Sequence, residues 1–269
     1  MNVIIFIDKD NFDGCLGLIN KEFKKENRRF WNIDKYIPFL LEKVKNKMKE
    51  QELKLIKTFI YTGAYNSEII SGIKWECNNK IKERQKIIDI ENSFLGEITK
   101  LCSDCDLKEK INKKIINHVE NSIIILDNEK NVYSERKDKQ IRNREGQKKF
   151  FYKINQNPLM ELRTTLLKHA EGNVYQKGVD VKLATDLIHL AYTNAYDVAV
   201  ILGGDTDLVE CVRLVKENLS KTVIVIARYV KGDALSSNIS DLKKIVASDF
   251  INLKDFSQEE INSMSDPLR

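Results

Sequence analysis

Two aspartates one residue apart, Asp205 and Asp207, close the stretch Tyr196-Asp197-Val198-Ala199-Val200-Ile201-Leu202-Gly203-Gly204-Asp205-Thr206-Asp207-Leu208. Its uninterrupted apolar run is the pattern of a strand buried on both faces of a parallel sheet, so the acids fall just past a strand's carboxyl end. Open α/β sheets bind their ligands there, and Gly203 and Gly204 let backbone or substrate come close. The chain begins in the same way: Val3-Ile4-Ile5-Phe6-Ile7 runs into Asp8, with Asp10 and Asn11 just beyond it. If the two strands are neighbours, three or four carboxylates converge, and each raises the others' pKa unless a cation neutralises them. Oxygen donors of this kind select the hard ions Mg²⁺ or Mn²⁺.

A further acid comes from the stretch Lys177-Gly178-Val179-Asp180-Val181-Lys182-Leu183-Ala184-Thr185-Asp186-Leu187-Ile188-His189-Leu190-Ala191. Ala184, Leu187, Ile188 and Ala191 form the buried stripe of a helix, and Asp180 lies on that side, in the first turn. An acid there favours the helix dipole whatever else it does. Its side of the helix turns it towards the strand ends as well. Asp186 falls away from the stripe and is a secondary candidate; His189 is a packed or surface residue rather than a base.

These acids need a frame, and the rest of the chain supplies one. From Asp34, read as an N-cap, the spacing of Ile37, Leu40, Leu41, Val44 and Met48 predicts an amphipathic helix. Leu55 to Tyr61 then reads as a second buried strand, completing a βαβ unit. Residues 73 to 119 are mostly helical, with Ile81, Ile87, Ile88, Phe94, Leu95, Ile98 and Leu101 as the buried set; Arg84, Gln85 and Lys86 read as solvated positions. Ile123 to Leu126, a polar turn at Asp127 to Asn131, and Val132-Tyr133 suggest a hairpin, and Pro158 a helix running through Leu162, Leu166 and Leu167. Leu208, Val209, Val212 and Val215 carry a helix, Thr222 to Ala227 a strand, Leu235 to Val246 a helix, and Phe250-Ile251 a terminal edge strand.

Charge is nearly balanced, with 45 Lys and Arg against 40 Asp and Glu in 269 residues. Its distribution is not. Arg136, Lys137, Lys139, Arg142, Arg144, Lys148, Lys149 and Lys153, running into Phe150, Phe151 and Tyr152, make the most basic segment, where contact with a nucleic acid backbone is expected. A second set, Lys21, Lys24, Lys25, Arg28 and Arg29 with Phe23, Phe30 and Trp31, fits either a phosphate-gripping surface or a solvated helix. No apolar run approaches the ~20 residues that cross a bilayer, so no membrane is expected and the location is read as cytoplasmic. Five cysteines, Cys15, Cys77, Cys102, Cys105 and Cys211, read as free thiols. The lone Cys102-Ser103-Asp104-Cys105 lacks a paired motif, and a zinc site would have to draw on Cys77 and His118.

Ile7-Asp8-Lys9-Asp10-Asn11-Phe12, then Lys177-Gly178-Val179-Asp180 with Leu183-Ala184-Thr185-Asp186, then Gly203-Gly204-Asp205-Thr206-Asp207-Leu208, resemble the successive motifs of NYN domains, PIN-like nuclease relatives that include the LabA-like proteins. The run from Leu235-Ser236 to Ala247-Ser248-Asp249-Phe250-Ile251 is similar to that family's C-terminal end. The resemblance covers most of the chain outside residues 100 to 155. It implies a three-layer α/β/α, Rossmann-like parallel sheet in a single domain over residues 1–269, with a basic insertion at 121–153. It further implies hydrolysis of RNA phosphodiester bonds, Asp8, Asp180, Asp205 and Asp207 being both catalytic and metal-binding, with Asn11 and Asp186 supporting. DNA as a substrate and a homodimer both stay open. Lys9-Asp10 and Gly203 depart from the family pattern, but neither removes an acid.

Two rivals stand beside this reading. Asp8-Lys9-Asp10-Asn11, Thr62 and Gly204-Asp205 also resemble HAD-type phosphatases, in which the first aspartate is a covalent nucleophile; that reading needs Lys177 or Lys182 as its lysine and leaves Asp180 without a role. The other is a catalytically silent RNA-binding or regulatory module.

Overall fold

The computed structural model describes residues 1–21, 28–49, 52–101, 106–170, 173–230 and 239–267. Cys102 and Cys105, Phe23, Lys24 and Lys25, and Leu235-Ser236 lie outside them. The strands are β1 (Asn2–Asp8), β2 (Arg29–Trp31), β3 (Lys54–Ala64), β4 (Met160–Leu166), β5 (Lys168–Ala170), β6 (Asn173–Tyr175), β7 (Val198–Leu202), β8 (Thr222–Ala227), β9 (Phe250–Asn252) and β10 (Ser265–Pro267). The helices are α1 (Lys9–Lys21), α2 (Ile33–Met48), α3 (Ser67–Leu101), α4 (Asp106–Asn155), α5 (Val179–Tyr192), α6 (Val209–Glu217), α7 (Ser240–Val246) and α8 (Gln258–Met264).

Six strands form a parallel sheet in the order β4-β3-β1-β7-β8-β9, flanked by helices in a three-layer α/β/α arrangement. The two apolar runs that end in acid are adjacent, Val3 to Ile7 of β1 pairing in register with Val198 to Leu202 of β7. Both strands read as continuous hydrophobic runs because both faces are covered: Val3 to Ile7 and Val198 to Leu202 are at most 2% exposed. Alternate residues then sort by face. Ile4 and Phe6 of β1, Phe59 and Tyr61 of β3, and Ala199 and Ile201 of β7 pack with Val179, Leu183, Leu187 and Ala191 of α5 and with Val212 and Val215 of α6. Asp8 continues the Ile4, Phe6 alternation and therefore points to the face that α5 covers.

The chain divides into two compact units. One comprises Met1–Gly63, Phe151–Thr165 and Gln176–Arg269, the other Ala64–Phe150 and Leu166–Tyr175. The second is built on α3 and α4, which pair antiparallel: Asn78 meets Lys137, Arg84 meets Glu129, and Gln85 meets Lys130.

Three local expectations are corrected. Ile123 to Tyr133 is not a hairpin but the middle of α4. Short apolar runs fit strand and buried helix alike, and pairing with α3 decides for the helix. Residues after Pro158 form β4 rather than a helix, since Met160, Leu162, Thr164 and Leu166 share one side of an extended chain as readily as Leu162 and Leu166 share a helical turn. Asn32, not Asp34, caps α2, its side chain accepting from the Asp34 amide at 3.1 Å; Asp34 pairs instead with Lys153. Phe250–Asn252 does form the terminal edge strand.

Candidate active site

Asp8 is the best-buried acid of the described chain, with no exposed surface. It stands where β1 gives way to α1. Its carboxylate accepts the Asn11 backbone amide at 3.2 Å and the Asn11 side-chain amide at 2.6 Å, in the manner of an N-cap. Asn11 thus orients both oxygens. Burial, together with the charges of Asp180 and Asp10, nevertheless pushes the Asp8 carboxyl up to about 7. Asp180, far along the chain, thus acts on Asp8 through its charge, and the helix that begins beside it packs on the face of the sheet to which Asp8 points. Asp10 is also raised, chiefly by desolvation.

The end of β7 approaches the same corner. Gly203 has φ 82°, a left-handed geometry, and a Cβ there would lie 3.1 Å from Asn11 Cβ, 3.2 Å from the Phe12 amide nitrogen and 3.3 Å from the Asp8 carbonyl oxygen. Only glycine lets the β7 turn close against the β1–α1 turn. Just beyond it, Asp205 accepts from the Thr206 hydroxyl at 3.1 Å, and Asp207 sits exposed in the 3-10 turn Thr206–Leu208. Asp205 lines an open cleft of about 390 Å³ with Asp10, Asn11, Gly14, Cys15, Gly17, Lys21, Gly204 and Arg228.

Asp180 lies in the first turn of α5, which the chain enters through Gly178 at φ 81°. The buried row of α5 is Val179, Leu183, Leu187 and Ala191, one residue round from the expected stripe, which leaves Asp180 half-buried beside it. Asp186 is engaged elsewhere. It accepts from the Tyr61 hydroxyl at 2.9 Å and pairs with Arg163 at 3.6 Å, tying α5 to β3 and β4. These contacts anchor the helix that carries Asp180 to the sheet.

The basic residues expected to bind nucleic acid lie on α4. Lys139, Arg142, Lys148 and Lys149 are exposed, while Arg136, Lys137 and Arg144 are half-buried. Some are engaged locally: Lys137 donates to Asn78, Lys148 pairs with Glu145, and Arg136 stacks over Tyr133. The Arg29 and Trp31 pair is structural, Arg29 donating to Ser265 and Trp31 to the Phe12 carbonyl while stacking on its ring. Arg228, 8% exposed and directly after β8, went unnoticed in the sequence. The pattern that singles out Asp8, a polar residue at the end of a buried apolar run, marks Arg228 as well. Cys15, Cys77 and Cys211 are free and buried.

Among the described residues, no group of three or more His, Cys, Asp and Glu side chains is arranged to hold a metal ion. The donor chemistry nonetheless fits a hard divalent cation. Asp8 is held in a fixed orientation, buried, and opposed by two other carboxylates, so its ionised form requires compensating positive charge.

The family model of the NYN domain matches residues 87–253. The range contains Asp180, Asp186, Asp205 and Asp207, and it runs through residues 100 to 155, which the motif resemblance had left out. It stops short of Asp8 and Asn11, which enter the site through the pairing of β1 with β7. Neither the curated proteins nor the solved structures contain a match.

Proposed function

This chain belongs to the NYN domain family, within the PIN-like nuclease superfamily, and from that premise we propose that it is a metal-dependent endoribonuclease. The observation that supports the proposal is the fully buried Asp8 at the end of β1, paired with β7, beyond whose end Asp205 lines an open cleft together with Asn11, the residue that holds Asp8. Asp8, Asp180, Asp205 and Asp207 would hold Mg²⁺ or Mn²⁺, which when bound stabilises the charge that develops on the scissile phosphate and activates water.

The chain's own contributions follow from the contacts. Asn11 fixes the Asp8 carboxylate, so that its oxygens are aimed before substrate arrives. Gly203 holds the Asp205 turn against the β1–α1 turn. Tyr61 and Arg163 hold Asp186, and through it α5, in place. No side-chain nucleophile is required. RNA is the substrate class, the exposed basic residues of α4 meet its phosphates, and the whole chain acts as one NYN unit with α3 and α4 elaborating it. The RNA it acts on is cytoplasmic; among the described residues no helix is long and apolar enough to cross a membrane.

The phosphatase alternative loses support from two sides. It leaves Asp180 unused, and Lys182, one of its two candidate lysines, donates to the Thr164 carbonyl at 3.0 Å.

The test is cleavage of labelled single-stranded RNA with Mn²⁺, comparing the native chain with Asp8→Asn and Asp205→Asn. The proposal expects both variants to lose at least about a hundredfold in rate, since even the outer-shell partners of metal ligands cost up to about that when replaced. Cleavage that survives both substitutions, or RNA binding without cleavage by the native chain, contradicts it.

A further inference from the structure

The contacts between α3 and α4 mark the two sides of the pair that these helices make. Arg84 donates to Glu129 at 2.6 Å on one side, and Lys130 donates to Gln85 at 2.9 Å on the other. At about 100° per residue, Ile87 and Phe94, which follow Arg84 along α3, fall on the Arg84 side, with Ile90 at its outer edge. Ile125 and Val132, one turn to either side of Glu129, fall on that same side of α4. The antiparallel pairing of Gln85 with Lys130 sets Ile90 level with Ile125. All five are exposed, from 37% at Ile87 to 68% at Ile90. An apolar stripe therefore crosses both helices on one side of the pair.

At roughly 200 Å² for a fully exposed large apolar residue, the five leave roughly 500 Å² open, near the upper end of the largest patch that a monomer shows. Two such stripes face to face would remove roughly 1,000 Å² from water before their polar rims are counted, which is the size at which a specific interface begins. Charge selects the occupant. Besides the Arg84–Glu129 pair, the same period places Glu76, Glu83 and Glu91 with Lys80 on this side of α3, and Lys114, Arg136 and Lys139 on this side of α4. The stripe is thus rimmed by acid on one helix and by base on the other. A second copy, turned about a two-fold axis parallel to the helices, lays its α4 on α3, so that unlike charges meet and Ile90 of each copy faces Ile125 of the other. The alternative two-fold, α3 on α3 and α4 on α4, sets like charges together.

We propose that a second copy of this chain covers the stripe, the two α3–α4 pairs forming a four-helix bundle with α3 of each copy on α4 of the other. Association by this face is independent of RNA cleavage and is tested without RNA or added metal, by sedimentation equilibrium. The native chain should run at twice its 31.2 kDa mass at micromolar concentration. Its dimer should weaken as salt is raised from a low level, because unlike charges across the rim are screened. Ile90→Gln/Ile125→Gln puts good helix formers at exposed positions, so helical circular dichroism should be kept while the dimer dissociates at least about a hundredfold more readily. Trp75→Gln, at a residue 70% exposed on α3 but half a turn round from Arg84, should dimerise like the native chain. A native chain that stays monomeric at its highest soluble concentration leaves the stripe to a partner of another kind and overturns the proposal, as does a dimer untouched by Ile90→Gln/Ile125→Gln. A dimer that tightens as salt is first raised overturns the α3-on-α4 arrangement. The native mass and its salt response give the answer even where the double variant fails to fold.

Discussion

Asp8 carries a proton that its neighbours want it to keep. Its carboxyl is pushed up to about 7 from an ordinary 3.8 by burial and by Asp180 and Asp10, so over that interval the folded chain holds a proton that the unfolded chain has lost. Folding stability contributed by this group therefore falls as pH rises from 3.8 to about 7, and levels off above. In cation-free buffer, Asp8→Asn should abolish that fall and melt several degrees higher than the native chain at pH 8. Mn²⁺ at pH 8 should stabilise the native chain and not the variant. Thermal unfolding from pH 4 to 8, with and without the ion, checks both; superimposable curves would contradict the electrostatic account. Gly203 is the complementary case, a residue whose value is the side chain it lacks. Gly203→Ala should cost about 1–3 kcal/mol in urea unfolding, because its Cβ would press on backbone atoms of Asp8 and Phe12 at 3.2 to 3.3 Å. That Asp8 and Asp205 stand at or just beyond the ends of buried strands was legible because an apolar run that gives way to a carboxylate is a local pattern. Arg228 followed the same rule but drew no attention, since nothing beside it in sequence suggested a site. The link between Asp186 and Tyr61 spans 125 positions, and no local pattern encodes it.

Among the elements, the strands of the sheet centre were the most legible, because burial on both faces leaves an unbroken apolar run with no competing period. Helices with an amphipathic face followed, as α2 and α5 show. Legibility failed where one pattern serves two structures. Ile123-Ile124-Ile125-Leu126 has the composition of a strand, yet Ile124 and Ile125 are 57% and 59% exposed on a helix whose partner is α3. Propensity is a weak prior that tertiary pairing overrides. The basic segment is therefore carried on a helix rather than on a loop. Replacing Lys139, Arg142 and Lys149 together by glutamate should leave the helical circular dichroism intact, since all three are exposed. RNA binding should weaken and its salt dependence flatten by about 0.7 for each phosphate contact removed. Unchanged affinity at low salt would remove α4 from the nucleic acid surface.

Across the whole molecule, the architecture follows from a few apolar strands and the parallel pairing that their connections demand, and the family match to residues 87–253 agrees with it. The division into two compact units was not legible, because it depends on which long-range contacts α3 and α4 make rather than on any local pattern in them. At this scale the fold gathers distant stretches: β1, β7 and α5 lie far apart in sequence, and strand pairing and packing of the helix bring them together. The most direct test is to grow crystals of the native chain in Mn²⁺ and record anomalous scattering at the manganese edge. A peak coordinated by Asp8 and Asp180, with Asp205 or Asp207 completing its shell, is the expected result. A saturating soak that leaves those carboxylates without a peak, or that places manganese on other residues alone, would contradict the claim that these aspartates share a catalytic ion.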